Sequence, residues 1–290
     1  MTPSRQVHPS YILTLACPDQ RGIVRAVSGF LTEQGGNIDE AAQFSDTDAV
    51  RFFMRVVFSV HEGNATIDVL SEGFGAVAAP LGMEWRIVPA ERLVPTVLMV
   101  SKLGHCLHDL LLRWKTGLLP VDVRAVISNH RDFYQLVASY GVPFHHVPVT
   151  PDTKPRAEAE LLRVVADAGA ELVVLARYMQ VLSNDLCSQL AGRAINIHHS
   201  FLPGFKGARP YHQAHERGVK LIGATAHYVT GDLDEGPIIE QDVERADHSM
   251  SPAELTSVGR DVESVVLARA VKWHAERRVI LNGNRTVVFR

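Results

Sequence analysis

The spacing of hydrophobic residues along the first third of the chain predicts one small α/β unit. An apolar run that starts at Tyr11 is typical of a strand, and apolar residues then recur at helical spacing over 23–31, before a pair of glycines. The pattern that follows predicts strands over 37–45 and 51–60, a helix over 65–77 and a strand over 83–88. This βαββαβ order is that of a ferredoxin-like fold, and we assign it to a first domain of residues 8–88.

After residue 95 the pattern changes to short apolar runs separated by longer amphipathic stretches. The runs predict strands at 96–100, 123–128, 172–176 and 194–198, with helices at 105–116, 131–140 and 155–168. Strands that alternate with helices form parallel sheets, which bind ligands at the carboxyl ends of their strands. Two late strands and a long helix from Pro252 follow. We therefore predict an α/β chain in which a linker, 89–95, joins the first domain to a Rossmann-like domain with a mostly parallel sheet, 96–290.

Composition and charge narrow the class of ligand. The 290 residues carry 29 basic and 32 acidic side chains with no long block of either sign, which is not the footprint of a nucleic-acid or membrane-surface protein. No apolar run approaches the roughly 18–20 residues of a membrane span, and the first residues lack a signal-peptide pattern. Three widely spaced cysteines indicate neither a disulfide framework nor a cysteine zinc site. We expect a cytoplasmic protein with a small-molecule ligand.

The densest group of titratable residues begins at the end of the fourth strand of the second domain. Alternation along that strand places Asn196 and His198 on the same face, and a Gly-flanked loop supplies Asp234. No activated Ser or Cys accompanies these three residues, so they suit direct attack on a carbonyl without a protein nucleophile. The amide polarises the oxygen, the imidazole moves a proton and the carboxylate positions both. The alternative is that they only terminate a strand and a turn.

A zinc site is a weaker interpretation of the same region. Several histidines occur there, but neither an HExxH pattern nor a cysteine partner accompanies them. We predict no metal. The histidines concerned are His198, His199, His212, His215 and His227.

The segment from NIHHSFLPGF to GDLDEGPIIEQ closely resembles the central signature of the folate-dependent formyltransferase family. That signature is Asn-x-His at a strand end with an Asp about 36 residues later, here Asn196, His198 and Asp234. His199 stands where transferases of the family commonly have proline. Two further segments are SKLGHCLHDLL near residue 101 and LARYMQVLS at 175–183. With His199, they make the chain resemble the branch of the family that uses water as the acceptor. The resemblance covers nearly the whole chain.

The resemblance implies hydrolysis of 10-formyltetrahydrofolate to formate and tetrahydrofolate without a cofactor. Asn196 would polarise the formyl oxygen, while Asp234 would hold His198 and orient the water. Transfer of the formyl group to an amine, or a non-catalytic folate or amino-acid sensor, are the alternatives. The resemblance also implies a folate-binding set, which core packing or a structural role of the histidine would explain equally: Met179, Val181, Leu182, His227 and Gly231.

One loop favours water over a phosphorylated amine. In the related glycinamide ribonucleotide transformylase, a Gly-rich turn after the first strand of this domain cradles the acceptor's phosphate through backbone N–H groups. The corresponding segment here, SKLGHC at 101–106, has a single Gly and several bulky side chains. It is therefore a poor phosphate-binding loop, although Lys102 offers a charge.

The segment CPDQRGIVRAVSGFLTEQGGNI in the first domain resembles an ACT domain. Such domains bind amino acids at domain interfaces in many metabolic proteins, or serve only to dimerise. The resemblance implies a homo-oligomer, dimer or tetramer, in one-carbon metabolism and purine biosynthesis. It also implies an amino-acid effector site in two turn segments: Asp19, Gln20, Gly22, Gly36 and Asn37.

Overall fold

The first part of the chain folds into a four-stranded antiparallel sheet with two helices. The strand order is β2-β3-β1-β4, so the predicted ferredoxin-like topology is confirmed. The elements are β1 (Ser10–Pro18), α1 (Ile23–Glu33), β2 (Gly36–Asp46), β3 (Arg51–Val60), α2 (Ile67–Ala78) and β4 (Glu84–Pro89). This computed structural model describes residues 8–61, 66–202 and 210–290, so the predicted start of the second helix at Ala65 lies outside the described residues.

Both helices of this unit bury apolar stripes against one face of the sheet. The stripe of α1 includes Phe30, whose ring meets that of Phe74 on α2 edge-to-face at 5.3 Å between centroids. Alternate residues of β1, such as Leu13 and Leu15, are buried in the same cluster. Each such side chain contributes about 1.5–3 kcal/mol through burial, which is why these short elements hold together.

The opposite face of that sheet is covered by the end of the chain. There β12 (Val279–Asn282) and β13 (Arg285–Val288) form a hairpin, and Phe289 packs against Ala16 and Phe53. The first compact unit therefore extends to Arg92 and also includes Glu276–Asn282 and Val287–Arg290. The prediction had placed all of 96–290 in the second domain. The two helices cover only one face of the sheet, so the apolar positions on the other face need a partner. The pattern of the chain does not show which distant segment supplies that partner.

The second unit, Leu93–Ala275 with Gly283–Thr286, is built on a seven-stranded sheet of order β11-β10-β9-β8-β5-β6-β7. The five strands from β9 to β7 are parallel, and β10 pairs in the antiparallel direction with both β9 and β11, so the mostly parallel sheet is confirmed. Strand β5 begins at Val94, inside the predicted linker. The elements are β5 (Val94–Val100), α3 (His105–Lys115), β6 (Val121–Ser128), α4 (Tyr134–Ser139), β7 (Phe144–His146), α5 (Lys154–Asp167), β8 (Leu172–Leu175), α6 (Asn184–Gln189), β9 (Ala194–His198), α7 (Pro210–Glu216), β10 (Leu221–Tyr228), β11 (Ile238–Arg245) and α8 (Pro252–Ala275).

The chain changes direction across this sheet at β5, which has β6 on one side and β8 on the other. A crevice forms beyond the strand ends at such a switch point. Ser101, directly after β5, is buried, and its hydroxyl donates to Asn129 Oδ1 at 2.7 Å and accepts from the Met179 backbone N–H at 2.9 Å. One side chain thus ties together the segments that follow three neighbouring strands.

No helix in the described ranges is both long enough and apolar enough to cross a bilayer.

Candidate active site

The predicted polar pair lies at the carboxyl end of β9, where β10 runs alongside in the antiparallel direction. Asn196 is paired with His227 across the two strands, and His198 is paired with Thr225. The ladder between β10 and β11 shifts register between Ala226 and His227. Such an irregularity redirects the strand, and here it coincides with the side chain that faces Asn196.

Asp234 reaches these residues from the loop between β10 and β11. Its Oδ2 lies 3.2 Å from His198 Nδ1, and its Oδ1 lies 3.7 Å from His227 Nε2 and 3.5 Å from Asn196 Nδ2. Asp234 has a left-handed backbone with φ of 58°, and a Cβ on Gly236 would lie 1.7 Å from the Tyr228 carbonyl oxygen. The tight loop therefore requires glycine at 236, and it places the carboxylate over the strand ends.

The carboxylate of Asp234 is ionised throughout the neutral range. Burial alone would raise its pKa, but hydrogen bonds to His198 and His227 outweigh burial and hold the pKa well below its usual range. An ionised Asp234 accepts the Nδ1 proton of His198, which leaves the lone pair of the neutral ring on Nε2. That Nε2 is buried and has no hydrogen-bond partner among the described residues.

Asn196 contributes a donor to the same space. Its Nδ2 lies 3.3 Å from His227 Nε2 in addition to its longer contact with Asp234. An amide nitrogen carries two hydrogens, so one can remain on these neighbours while the other serves a ligand. His227 is itself anchored through Nδ1, which lies 2.9 Å from the Tyr228 carbonyl oxygen.

A cavity of about 350 Å³ opens beside this group. Met179 and Val181 line it and are 56% and 58% exposed, so interpreting them as core residues is wrong. Leu182 also lines it, although it packs in part against the buried cluster below the sheet. All eight predicted residues surround this one cavity: Asn196, His198, Asp234, Met179, Val181, Leu182, His227 and Gly231.

Comparison with known proteins places this geometry in a family. Residues 95–271 match the family model of formyl transferase, and residues 11–72 match that of the ACT domain. The formyltetrahydrofolate deformylase of Corynebacterium sp. (strain P-1) is 54% identical over 280 residues, which cover 97% of this chain and 98% of that protein. This chain belongs to the formyltetrahydrofolate deformylase family.

Solved structures agree with this assignment to the deformylase family. The crystal structure of the formyltetrahydrofolate deformylase from Burkholderia mallei has a TM-score of 0.93 and 56% identity, covering 97% of this chain and 100% of that one. Glycinamide ribonucleotide transformylase 1 from Symbiobacterium toebii is also similar, with a TM-score of 0.64 and 30% identity over 69% of this chain and 95% of that one. The predicted family resemblance is confirmed.

The loop after β5 of this deformylase-family chain makes internal contacts through Ser101 and Gly104. A Cβ on Gly104 would lie 2.3 Å from the ring of Phe133, so the single glycine accommodates an aromatic ring. The Ser101 hydroxyl makes two hydrogen bonds within the protein. These contacts agree with the predicted weakness of the loop as a phosphate cradle.

A second buried polar cluster, which the sequence analysis missed, surrounds Glu263 on α8. The Glu263 carboxylate accepts from Tyr211 Oη at 2.8 Å, pairs with His105 Nε2 at 2.7 Å and lies 3.3 Å from Arg177 Nε. Burial would raise the pKa of Glu263, but His105 and Arg177 hold it below its usual value. A glutamate within an apolar helix stretch signals a buried charge that needs partners, although the sequence does not say which.

The Glu263 cluster is poorly suited to a cation. Its carboxylate already accepts from His105 and Tyr211, and the permanent charge of Arg177 lies beside it. Burial raises the pKa of the neighbouring Cys106 thiol far above its usual value, so the thiol stays protonated. His212 and His215 lie on the exposed side of α7, opposite buried Tyr211. They do not join the cavity histidines as the zinc interpretation requires, and residues 203–209 of the same motif lie outside the described residues.

The predicted effector site in the first unit is not assembled within one chain. Asp19 follows the end of β1, where Pro18 pairs with Arg51, whereas Asn37 pairs with Ser59 at the other end of β3. The eight residue steps from Arg51 to Ser59 span about 26 Å along β3. Gln20 and Gly22 share the first location and Gly36 shares the second. The two turn segments lie apart because α1 carries the chain back along the sheet before β2 begins, and the effector site stays a prediction.

Proposed function

We propose that this protein hydrolyses 10-formyltetrahydrofolate to formate and tetrahydrofolate, with water as the acceptor of the formyl group. The observation that carries the proposal is the ionised Asp234 paired with His198, beside Asn196 and a cavity, in a chain 54% identical to a formyltetrahydrofolate deformylase. The reaction class is hydrolysis of an activated amide, for which these three side chains provide the functional groups.

In the proposed reaction, His198 acts first as a base. Its Nε2 takes a proton from water while the water oxygen bonds to the formyl carbon and the carbonyl electrons move to the formyl oxygen. Asn196 Nδ2 donates to that oxyanion, a contribution worth roughly 10²–10³ in rate. Protonated His198 then gives its proton to the folate nitrogen as the carbon–nitrogen bond breaks. The products are tetrahydrofolate and formic acid, which ionises.

Asp234 supports both proton transfers. Its carboxylate fixes His198 with the lone pair on Nε2 and stabilises the imidazolium that forms midway. His227, on the next strand, places its Nε2 3.3 Å from the Asn196 amide nitrogen and 3.7 Å from the other carboxylate oxygen. No step of this sequence calls for a metal or an organic cofactor.

The flat folate fits the apolar wall of the cavity. Met179 and Val181 are exposed side chains that line the cavity beside the polar group. We assign them, with Leu182, to the pterin, and the backbone around Gly231 to its polar edge. Burying one face of an aromatic ligand on such side chains is typical of small-molecule sites.

The wider setting follows from the ACT domain and the family. We propose a cytoplasmic homo-oligomer, dimer or tetramer, that adjusts one-carbon units for purine biosynthesis. We also propose an amino-acid effector of the ACT domain, supported by the domain's presence alone. Sedimentation of the purified protein and calorimetric titration with amino acids test these two points.

The decisive experiment measures formate release from 10-formyltetrahydrofolate with no amine present, and again with glycinamide ribonucleotide added. We expect formate in the first mixture and no acceleration in the second. Turnover that requires the amine would instead establish a transferase, the activity named for the Symbiobacterium toebii structure that resembles the second domain. Binding of the folate with no reaction in either mixture would indicate a sensor.

A further inference from the structure

His199, the neighbour of the proposed base, has a fixed tautomer. Its Nδ1 lies 3.0 Å from Arg177 Nη1. A guanidinium group only donates hydrogen bonds, so Nδ1 of His199 must accept, and the single proton of the neutral ring resides on Nε2. Arg177 is itself buried, has a left-handed φ of 65° and is held from the other side by Glu263.

The His199 ring is neutral at physiological pH. Burial and then the positive charge of Arg177 lower the pKa of His199 to about 4. The ring is therefore a donor through Nε2–H and carries no charge. That Nε2 is buried, and the described part of the chain offers it no hydrogen-bond partner.

The two adjacent histidines are complementary. Their rings stack with centroids 4.7 Å apart and an angle of 24° between planes, and both line the cavity. His198 presents a lone pair on Nε2 because Asp234 takes its other nitrogen, whereas His199 presents a hydrogen on Nε2 because Arg177 takes its other nitrogen. A buried acceptor and a buried donor thus belong to one stacked pair.

We propose that this pair binds the hydrolytic water, with His199 Nε2–H donating to the water oxygen while His198 Nε2 accepts one of its protons. This inference rests on the proposed function and adds a catalytic residue to it. The water oxygen has two lone pairs: one attacks the formyl carbon, and the other accepts from His199. Proton transfer to His198, formation of the carbon–oxygen bond and departure of the folate nitrogen then occur as in the proposed reaction.

The same geometry selects water over an amine. An attacking amine has one lone pair, which must point at the formyl carbon, so it has nothing left to accept the His199 hydrogen. A buried donor left unpaired disfavours the amine by about tenfold to a hundredfold. His199 is therefore a specificity-determining residue as well as a ligand of the water.

The test compares His199→Phe, which keeps a flat ring but has no donor, with His199→Gln, which keeps an N–H donor. For formate release, we expect kcat of His199→Phe to fall about 10²-fold with KM within about threefold, and His199→Gln to recover about tenfold. With hydroxylamine as an added acceptor, we expect the ratio of formyl hydroxamate to formate to rise about tenfold in His199→Phe. An unchanged kcat, or equal losses in both variants with both folded, overturns the proposal.

A measurement on the unsubstituted protein keeps the proposal testable if His199→Phe does not fold. Long-range ¹⁵N NMR correlations distinguish the two neutral tautomers from the imidazolium, and His199→Gln assigns the signal. We expect the neutral Nε2–H form of His199 from about pH 6 to 8. An imidazolium or an Nδ1–H tautomer in that range overturns the proposal. Absence of formate release by the unsubstituted protein would refute the proposed function, a result independent of this signal.

Discussion

Asp234, which is partly buried, and Glu263, which is fully buried, both have lowered pKa values and histidine partners, yet they belong to different kinds of site. Glu263 is 1% exposed, accepts hydrogen bonds from His105 and Tyr211, and lies beside the positive charge of Arg177. Asp234 is 20% exposed at its side chain and borders a cavity that is also lined by His198, whose Nε2 has no hydrogen-bond partner among the described residues. Burial and a shifted pKa therefore do not by themselves identify chemistry. The difference is whether polar atoms without protein partners face a space that a ligand can enter.

Asp234→Asn, which tests the catalytic side of this comparison, should have the largest effect on kcat. The amide cannot fix the tautomer of His198 or stabilise its cation, so we expect kcat for formate release to fall about 10³–10⁴-fold, with little change in the free energy of unfolding. The matched control is Asp242→Asn, which removes only an exposed ion pair with Arg269. Activity of Asp234→Asn within tenfold of the parent would remove Asp234 from the mechanism.

Glu263→Gln should show the opposite signature. Losing the charge leaves buried Arg177 without its counter-ion, and we expect the free energy of unfolding to fall by about 3 kcal/mol and Tm by about 5–10 °C. The change in kcat should stay within about tenfold. Glu160→Gln, at an exposed pair with Arg163, serves as the control and should shift Tm by less than about 2 °C. A stable but inactive Glu263→Gln protein would contradict this assignment of roles.

Acid should destabilise the protein through His199, which lies between the Asp234 group and the Glu263 cluster. The expected effect is smaller than those of the two substitutions above. His199 contacts Arg177 and stacks on His198, with Asp234 and Glu263 farther away, and its pKa is lowered to about 4. Between that value and the usual value near 6.5, the unfolded chain binds more protons, so stability falls as pH falls. We expect about 2 kcal/mol of loss from pH 7 to 4.5 at this site.

Urea unfolding at the two pH values measures this loss, with His199→Gln as the comparison. The variant should lose less stability than the parent over the same interval. Asp234 and Glu263 have lowered pKa values, so their stabilisation is present at pH 4.5 and disappears only as pH falls below about 4. Equal losses in both proteins would show that His199 is protonated in the folded state.

The smallest expected effect concerns the apolar wall. Met179→Ala removes cavity-facing surface, and we expect KM for the folate to rise about fivefold with kcat unchanged. Leu112→Ala is a close control, because Leu112 on α3 is 56% exposed, as is Met179, but does not line the cavity. Stability should change by less than about 0.5 kcal/mol in both variants. Equal KM values would place the folate elsewhere.

Features that depend on local periodicity could be predicted from the sequence. The alternation of a strand places Asn196 and His198 together, and the run of strands and helices indicates the parallel sheet. Strand β7 and helix α6 were missed, since three and six residues are too few for a periodic signal.

Features that depend on partners far apart in sequence could not be predicted. Glu263 meets His105 across 158 positions, and Arg177 adopts a left-handed backbone conformation that residues other than glycine rarely adopt. The tautomer of His199 follows from that arginine and not from the motif that contains it. The separation of Asp19 from Asn37 has the same origin, because only the strand register shows that they lie at opposite ends of the sheet.

The return of the last residues to the first sheet has a consequence for synthesis. A ribosome releases the βαββαβ segment early, but Phe289, which packs on Phe53, emerges long after that segment. At roughly 5–20 residues per second, about 200 further residues take on the order of 10–40 s. Throughout that interval the nascent sheet exposes apolar side chains on one face. The domain that is made first is therefore completed last, and this face is where we expect a chaperone to bind the growing chain.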